Sequence, residues 1–117
     1  MTEPKKYQAG EPQPFEANLV FTDEGVPAGG SVWGTGFCIS LQRGTIAMTK
    51  SGELQPNGVF TQTLIAVIIF ILKRYQHSAF ANKYNDEAIA HLEAAQDALR
   101  RRLLDRKDRG VLNTHKP

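Results

Sequence analysis

Apolar and polar positions follow three different rhythms along this chain. In the first part the apolar runs are short: NLVF at 18–21 reads as a strand, DEGVPAGG at 23–30 carries turn chemistry, SVWGTGFCISLQ at 31–42 alternates as a half-buried strand does, and IAMTK at 46–50 is a candidate third strand. These segments predict a small antiparallel sheet. Gly34 and Gly36, set inside a strand pattern, predict a bulge or a close approach by another backbone.

The rhythm changes at SGELQPNGVF, where Gly52, Pro56, Asn57 and Gly58 crowd together and mark a sharp break. A helix over 59–76 follows, with Val59, Phe60, Leu64, Ile65, Val67, Ile68, Ile69, Phe70, Ile71, Leu72 and Tyr75 covering most of its circumference rather than one stripe. Such a helix needs cover on nearly every side. A chain of 117 residues with a small sheet has few elements to supply it, so the run predicts burial against other copies of the chain.

The third rhythm is helical and one-sided. Ala88, Leu92, Ala95, Leu99 and Leu103 predict an amphipathic helix over 86–109, with Asp86 and Glu87 in the first turn, Arg106, Lys107 and Arg109 in the last, and Gly110 as its stop. Asn85 stands at the expected N-cap. The fold class read from these patterns is α+β: a small N-terminal antiparallel sheet over 16–55, then a two-helix antiparallel hairpin over 57–117, forming one domain that assembles as a homo-oligomer. Residues 1–15, rich in proline and charge, read as a flexible lead-in.

Charge and composition narrow the function classes. Fourteen Lys and Arg against twelve Asp and Glu give a net charge of +2, too small for a nucleic-acid coat or a polybasic membrane anchor. The nine-residue apolar run LIAVIIFIL is about half the length needed to cross a ~30 Å hydrocarbon core, so no membrane partner is expected. The N-terminus has no apolar core of signal-peptide type, and the single Cys38 has no partner within the chain, which points to a reducing compartment. His77, His91 and His115 do not fall at metal-ligand spacings, and GGSVWGTGF is not a phosphate loop. No catalytic set, metal or cofactor is expected; the reading is of a binding protein.

Two clusters carry candidate binding chemistry, and each has a plain alternative. Arg102, Arg106 and Arg109, spaced by four and three, share one side of a helix end, either as a solvated terminus favoured by the dipole or as an anion site gripped by planar guanidinium forks. In RYQHSAFANKYN, residues 74–85, Tyr75 and Asn85 flank the turn between the helices. A ring that stacks and a carboxamide that reads a base edge suit a purine. Alternatively Tyr75, Phe80 and Tyr84 plug the end of the hairpin core.

Taken together, Tyr75, Gln76, Phe80, Asn85, Ala88, Ile89 and Leu92, followed by Arg102, Arg106, Arg109, Gly110, Val111, Thr114 and His115, form a pattern that resembles the hairpin domain shared by phage anti-Thoeris sponges of the first type and phage anti-CBASS cyclic-nucleotide sponges. The preceding GTGFCISLQRG and the order of sheet then hairpin resemble the anti-Thoeris branch. The likeness covers roughly 30–117. Two positions depart from it: Leu112 and Asn113 stand where the family usually has an acid and a glycine, and Leu41 precedes Gln42 where it tends to have a tryptophan.

The resemblance implies a sponge that binds the TIR-derived immune messenger glycocyclic ADP-ribose without cleaving it, in the cytoplasm of the infected bacterial host, as a dimer that assembles further into a hexamer. It implies that Tyr75 stacks on the adenine and Asn85 hydrogen-bonds the ligand, while Arg102 and Arg106, with Arg109, line a second site for cyclic oligonucleotides. Arg43, at the strand end LQRG, is our own addition as a diphosphate contact. Three rivals remain: a sponge mainly for cyclic di- or trinucleotides, a small nucleic-acid-binding or assembly protein with strongly salt-dependent affinity, and an enzyme that degrades the messenger.

Overall fold

The computed structural model describes residues 6–114 and 116, so His115 lies outside the described residues. Seven elements follow in order: β1 (Glu16–Phe21), β2 (Pro27–Gly34), β3 (Phe37–Leu41), β4 (Ala47–Met48), β5 (Leu54–Gln55), α1 (Thr61–Tyr75) and α2 (Lys83–Asp108). They form two compact units that divide between Val59 and Phe60.

In the first unit β1, β2 and β3 make an antiparallel sheet in that order. Thr22 closes the β1–β2 connection, since its N–H donates to Val26 O at 2.9 Å and its Oγ1 accepts from Val26 N at 3.1 Å. The register slips between Leu19 and Phe21, a bulge near the end of the strand. Because β2 begins at Pro27, half of the segment read as turn chemistry is strand.

The alternating segment 31–42 is two strands rather than one. Gly34 pairs with Phe37 across a tight turn at Thr35 and Gly36, and Trp33 with Cys38, so the apolar positions of a single pattern are folded back on each other. The break at 51–58 also hides a strand, as Met48 pairs with Leu54 and Ala47 with Gln55 in a small second sheet.

The second unit is the helical hairpin. Its seam uses a three-four alternation on both sides: Gln62, Ile65, Ile69 and Leu72 on the first helix with Gln76 just past its end, and Asn85, Ile89, Leu92, Gln96 and Leu99 on the second, are half-buried or buried, with Leu64, Ala88 and Arg106 half-buried beside them. Ile69 and Ile89, 7% and 8% exposed, are the buried apolar side chains among the described residues. Fully burying an isoleucine contributes about 1.5–3 kcal/mol. Val67, Ile68 and Phe70 remain 48%, 45% and 66% exposed, so the face of α1 away from the seam is apolar and uncovered in the single chain. Ala95 and Leu103, expected on the buried stripe, are exposed because the seam runs one position round from them. No helix among the described residues is long and apolar enough to cross a membrane.

The second helix begins at Lys83, three residues before the expected start. Asn82, not Asn85, is its N-cap: the Asn82 backbone is extended and its Oδ1 accepts from Asn85 N at 3.0 Å. At the other end Gly110 takes a left-handed φ of +71°. Gly110 N then donates to Lys107 O and Val111 N to Arg106 O, each at 3.0 Å, which satisfies two carbonyls that the helix leaves open.

Candidate functional site

The first of three candidate regions is the connector 76–82. Gln76 stands one residue past α1 and faces back along the connector, where its Nε2 donates to Asn82 O at 2.8 Å and its Oε1 accepts from Asn82 N at 3.0 Å. The same Oε1 accepts from Asn85 Nδ2 at 2.9 Å, and Phe80 O accepts from that nitrogen at 3.3 Å. Asn82 Nδ2 also donates to Phe80 O, at 2.9 Å, while Ser78 Oγ donates to Tyr75 O and accepts from Phe80 N. The backbone that leaves one helix and enters the next is thereby satisfied by side chains of its own.

Because amides hold the turn, the rings are not used to fill it. Tyr75 is 51% exposed, Phe80 79% and Tyr84 67%, and the Lys83 ammonium lies 5.2 Å from the centre of the Tyr84 ring. The alternative in which these rings plug the hairpin core is therefore not what the single chain does. Tyr75 and Asn85 both border this connector, Tyr75 as the last residue of α1 and Asn85 half-buried in the first turn of α2.

The second region is the arginine end of α2. Seventeen residues separate Asn85 from Arg102, about 26 Å along a helix at 1.5 Å per residue, so within one chain the two regions are far apart. Arg106 turns inward on the C-terminal segment, donating to Val111 O at 3.0 Å, Thr114 O at 3.2 Å and Lys116 O at 2.9 Å. Arg109 Nε donates to Asp105 Oδ2 at 3.0 Å, while Arg100 and Arg101 share Asp97 at 3.0 and 3.1 Å. Arg102 is exposed, and among the described residues its guanidinium makes no hydrogen bond or ion pair. Of the three expected cations it has the head group most ready for an anion.

The third region is the loop after β3. Asn57 Oδ1 accepts from Arg43 N at 2.7 Å and Asn57 Nδ2 donates to Arg43 O at 2.8 Å, while Gln42 Oε1 accepts from Asn57 N at 2.9 Å. Val59 meets Leu41 in a parallel bridge, with Val59 N donating to Ser40 O at 2.8 Å. Gly58 makes this approach possible, since a Cβ there would lie 2.5 Å from the Leu41 carbonyl. The Arg43 backbone is thus clamped and its side chain is exposed.

Among the described residues no group of three His, Cys, Asp or Glu is gathered to hold a metal ion, and Cys38 is an exposed free thiol. A hollow of about 710 Å³ is lined by Lys6, Gln8 and residues 11–15; no candidate residue borders it. Sequence reasoning placed Gln76 in the hairpin motif, Gln42 at the strand end and Asn57 in the break, but missed that all three hold turns, since a carboxamide carries no charge or period to give it that role. Their one available signal is position, each lying at the edge of a turn.

No model of a known protein family matches the chain. Over 59 residues it is 42% identical to Thoeris anti-defense 1 of Bacillus phage SBSphiJ7, a match that takes in 50% of this chain and 42% of that protein. The chain is thus similar, over half of its own length and about two-fifths of the relative's, to a phage anti-Thoeris protein, the branch that its hairpin motif and sheet-then-hairpin order resemble.

Proposed function

We propose that this chain is a phage anti-defence sponge that binds glycocyclic ADP-ribose and holds it uncleaved, so that the Thoeris effector of the infected host is never switched on. The observation that carries the reading is the 42% identity to Thoeris anti-defense 1. The connector chemistry supports it: exposed rings offer stacking platforms, and a side-chain amide beside them is held in one orientation. Tyr75 stacks on the adenine, Asn85 contacts the ligand, and Arg43 meets the diphosphate.

A sponge needs tight capture and slow release, and both follow when a ligand is enclosed between protomers. The uncovered face of Val67, Ile68 and Phe70 supports a homo-oligomer; a dimer that builds to a hexamer, in the host cytoplasm, is what the family resemblance implies. The uncommitted Arg102 favours one addition to this reading. It supports a second site, completed by Arg106 and Arg109, for the phosphates of cyclic oligonucleotides.

The test is to mix the protein with glycocyclic ADP-ribose, filter away free ligand, heat the protein and weigh what is released. Intact messenger is expected. Messenger left in the filtrate overturns the reading in favour of cyclic oligonucleotides, and a changed mass makes the protein an enzyme.

A further inference from the structure

Three carboxamides meet in the connector, and the backbone decides which way each one faces. The N–H and C=O of Asn82 cannot exchange roles, and they lie 3.0 Å from Gln76 Oε1 and 2.8 Å from Gln76 Nε2. A flipped Gln76 would set nitrogen against N–H and oxygen against C=O. Gln76 Oε1 is therefore an acceptor, and since the same atom faces the Asn85 amide at 2.9 Å, Asn85 must present Nδ2 to it. Phe80 O, which can only accept, lies 3.3 Å from that nitrogen and agrees. Both Asn85 amide hydrogens are spoken for within the chain. Its Oδ1 is left open, and among the described residues nothing donates to it.

We propose that Gln76 is a positioning residue that fixes Asn85 as a one-way acceptor, so that the ligand must bring a hydrogen-bond donor to this point, and that the site therefore selects adenine over hypoxanthine. Adenine carries an exocyclic amine at the position where hypoxanthine carries a carbonyl. A carbonyl set against Asn85 Oδ1 leaves two acceptors facing each other, and Asn85 cannot turn over without breaking its bonds to Gln76 and Phe80. This rests on the reading that the chain binds an adenine messenger through Asn85.

The experiment titrates the full chain with glycocyclic ADP-ribose and with its hypoxanthine counterpart, obtained by deamination, and repeats both with Gln76→Ala. The parent should prefer the adenine compound by roughly ten- to a hundredfold, the range expected when a polar group is left without its partner. In Gln76→Ala only Phe80 O restrains the amide, so the ratio should fall toward unity; loss of fold alone would weaken both compounds equally. Equal affinity in the parent overturns the selection while the sponge reading stands. Binding of neither compound overturns both.

A preference that survives Gln76→Ala removes Gln76 from the account. One further measurement needs neither variant nor ligand: the Asn85 Nδ2 protons of the parent should exchange with solvent more slowly than those of the exposed Asn18. Equal exchange rates would also overturn the proposal.

Discussion

Gln76 and Asn82 close the hairpin through two hydrogen bonds of opposite sense, Nε2 to O at 2.8 Å and N to Oε1 at 3.0 Å. Asn57 and Arg43 are joined in the same way, at 2.7 and 2.8 Å. In each pair a carboxamide takes the place of a neighbouring backbone strand, and in each it stiffens a turn bearing a candidate ligand contact. A loop that is ordered before binding gives up less conformational entropy when the ligand arrives.

Asn82 both caps the second helix and anchors the connector, so Asn82→Ala should cost more than an isolated cap. Loss of a cap alone costs about 0.5–2 kcal/mol. Removing the Asn82 Nδ2 bond to Phe80 O as well should bring the loss to the top of that range. Denaturation by urea, followed by helix signal, measures it. Asn85→Ala should cost less, because Asn85 receives the cap rather than providing it.

Two glycines are needed for different reasons, and alanine separates them. At Gly110 the added Cβ meets nothing within 4 Å, so Gly110→Ala should cost only the left-handed backbone, about 1–2 kcal/mol. At Gly58 the Cβ would press on the Leu41 carbonyl and lie 2.7 Å from Gln42 N. Gly58→Ala should cost about 1–3 kcal/mol through overpacking and displace the Arg43 turn. Thermal melting gives the stability changes, and only Gly58→Ala should also weaken messenger binding.

What the sequence revealed was what neighbouring residues decide together. The periodicity of α2 and the Gly110 stop are local, and both were legible. The turn at Thr35 and Gly36 was not, because VWGTGF keeps its alternation across the fold-back and two paired strands look like one long one. The cap was misread for a related reason. Asn82 and Asn85 are the same residue type one turn apart, and the choice between them depends on Gln76, which holds the Asn82 backbone and recruits the Asn85 amide. The grip of Gln42 on Asn57 joins positions fifteen apart and leaves no periodic trace.

The binding reading makes a separable set of predictions. Tyr75→Ala should weaken messenger binding by the stacking contribution, roughly 1–3 kcal/mol or about 5- to 150-fold, and Asn85→Ala should abolish measurable binding while the oligomer stays intact. Arg102→Ala should leave messenger binding unchanged and weaken cyclic trinucleotide binding. Calorimetry with each ligand distinguishes the sites. If Tyr75→Ala and Asn85→Ala bind messenger like the parent, the pocket lies elsewhere.

Acid should act on the second helix through Asp97. Its hydrogen bond to Arg100, with the charges of Arg101 and Arg100, holds its carboxyl below the ordinary value of 3.8 despite a smaller opposing effect of desolvation. A carboxyl lowered by folding contributes stability that is complete above the ordinary value and disappears as pH falls through the lowered one. Asp97→Asn should therefore be less stable than the parent near neutral pH. The two should converge as the pH falls below about 3.8. Melting curves of both proteins across that range measure the difference, and parallel curves would remove Asp97 from the account.

The uncovered face of α1 gives the test of assembly. Phe70 is 66% exposed beside Val67 and Ile68, and burying a phenylalanine contributes about 1.5–3 kcal/mol per side chain, counted once in every protomer of a symmetric contact. Phe70→Glu replaces that gain with the cost of desolvating a carboxylate, and in a two-fold contact it brings like charges together. Sedimentation should therefore show Phe70→Glu as a smaller species than the parent, with helix content retained because Phe70 lies off the seam of Ile69 and Ile89. Phe70→Leu, which keeps the face apolar, should assemble as the parent does. If messenger is held between protomers, its affinity should fall with the assembly in Phe70→Glu and survive in Phe70→Leu. A Phe70→Glu protein that sediments like the parent would move the interface to another surface, and one that dissociates yet binds messenger with unchanged affinity would place the whole pocket within a single chain.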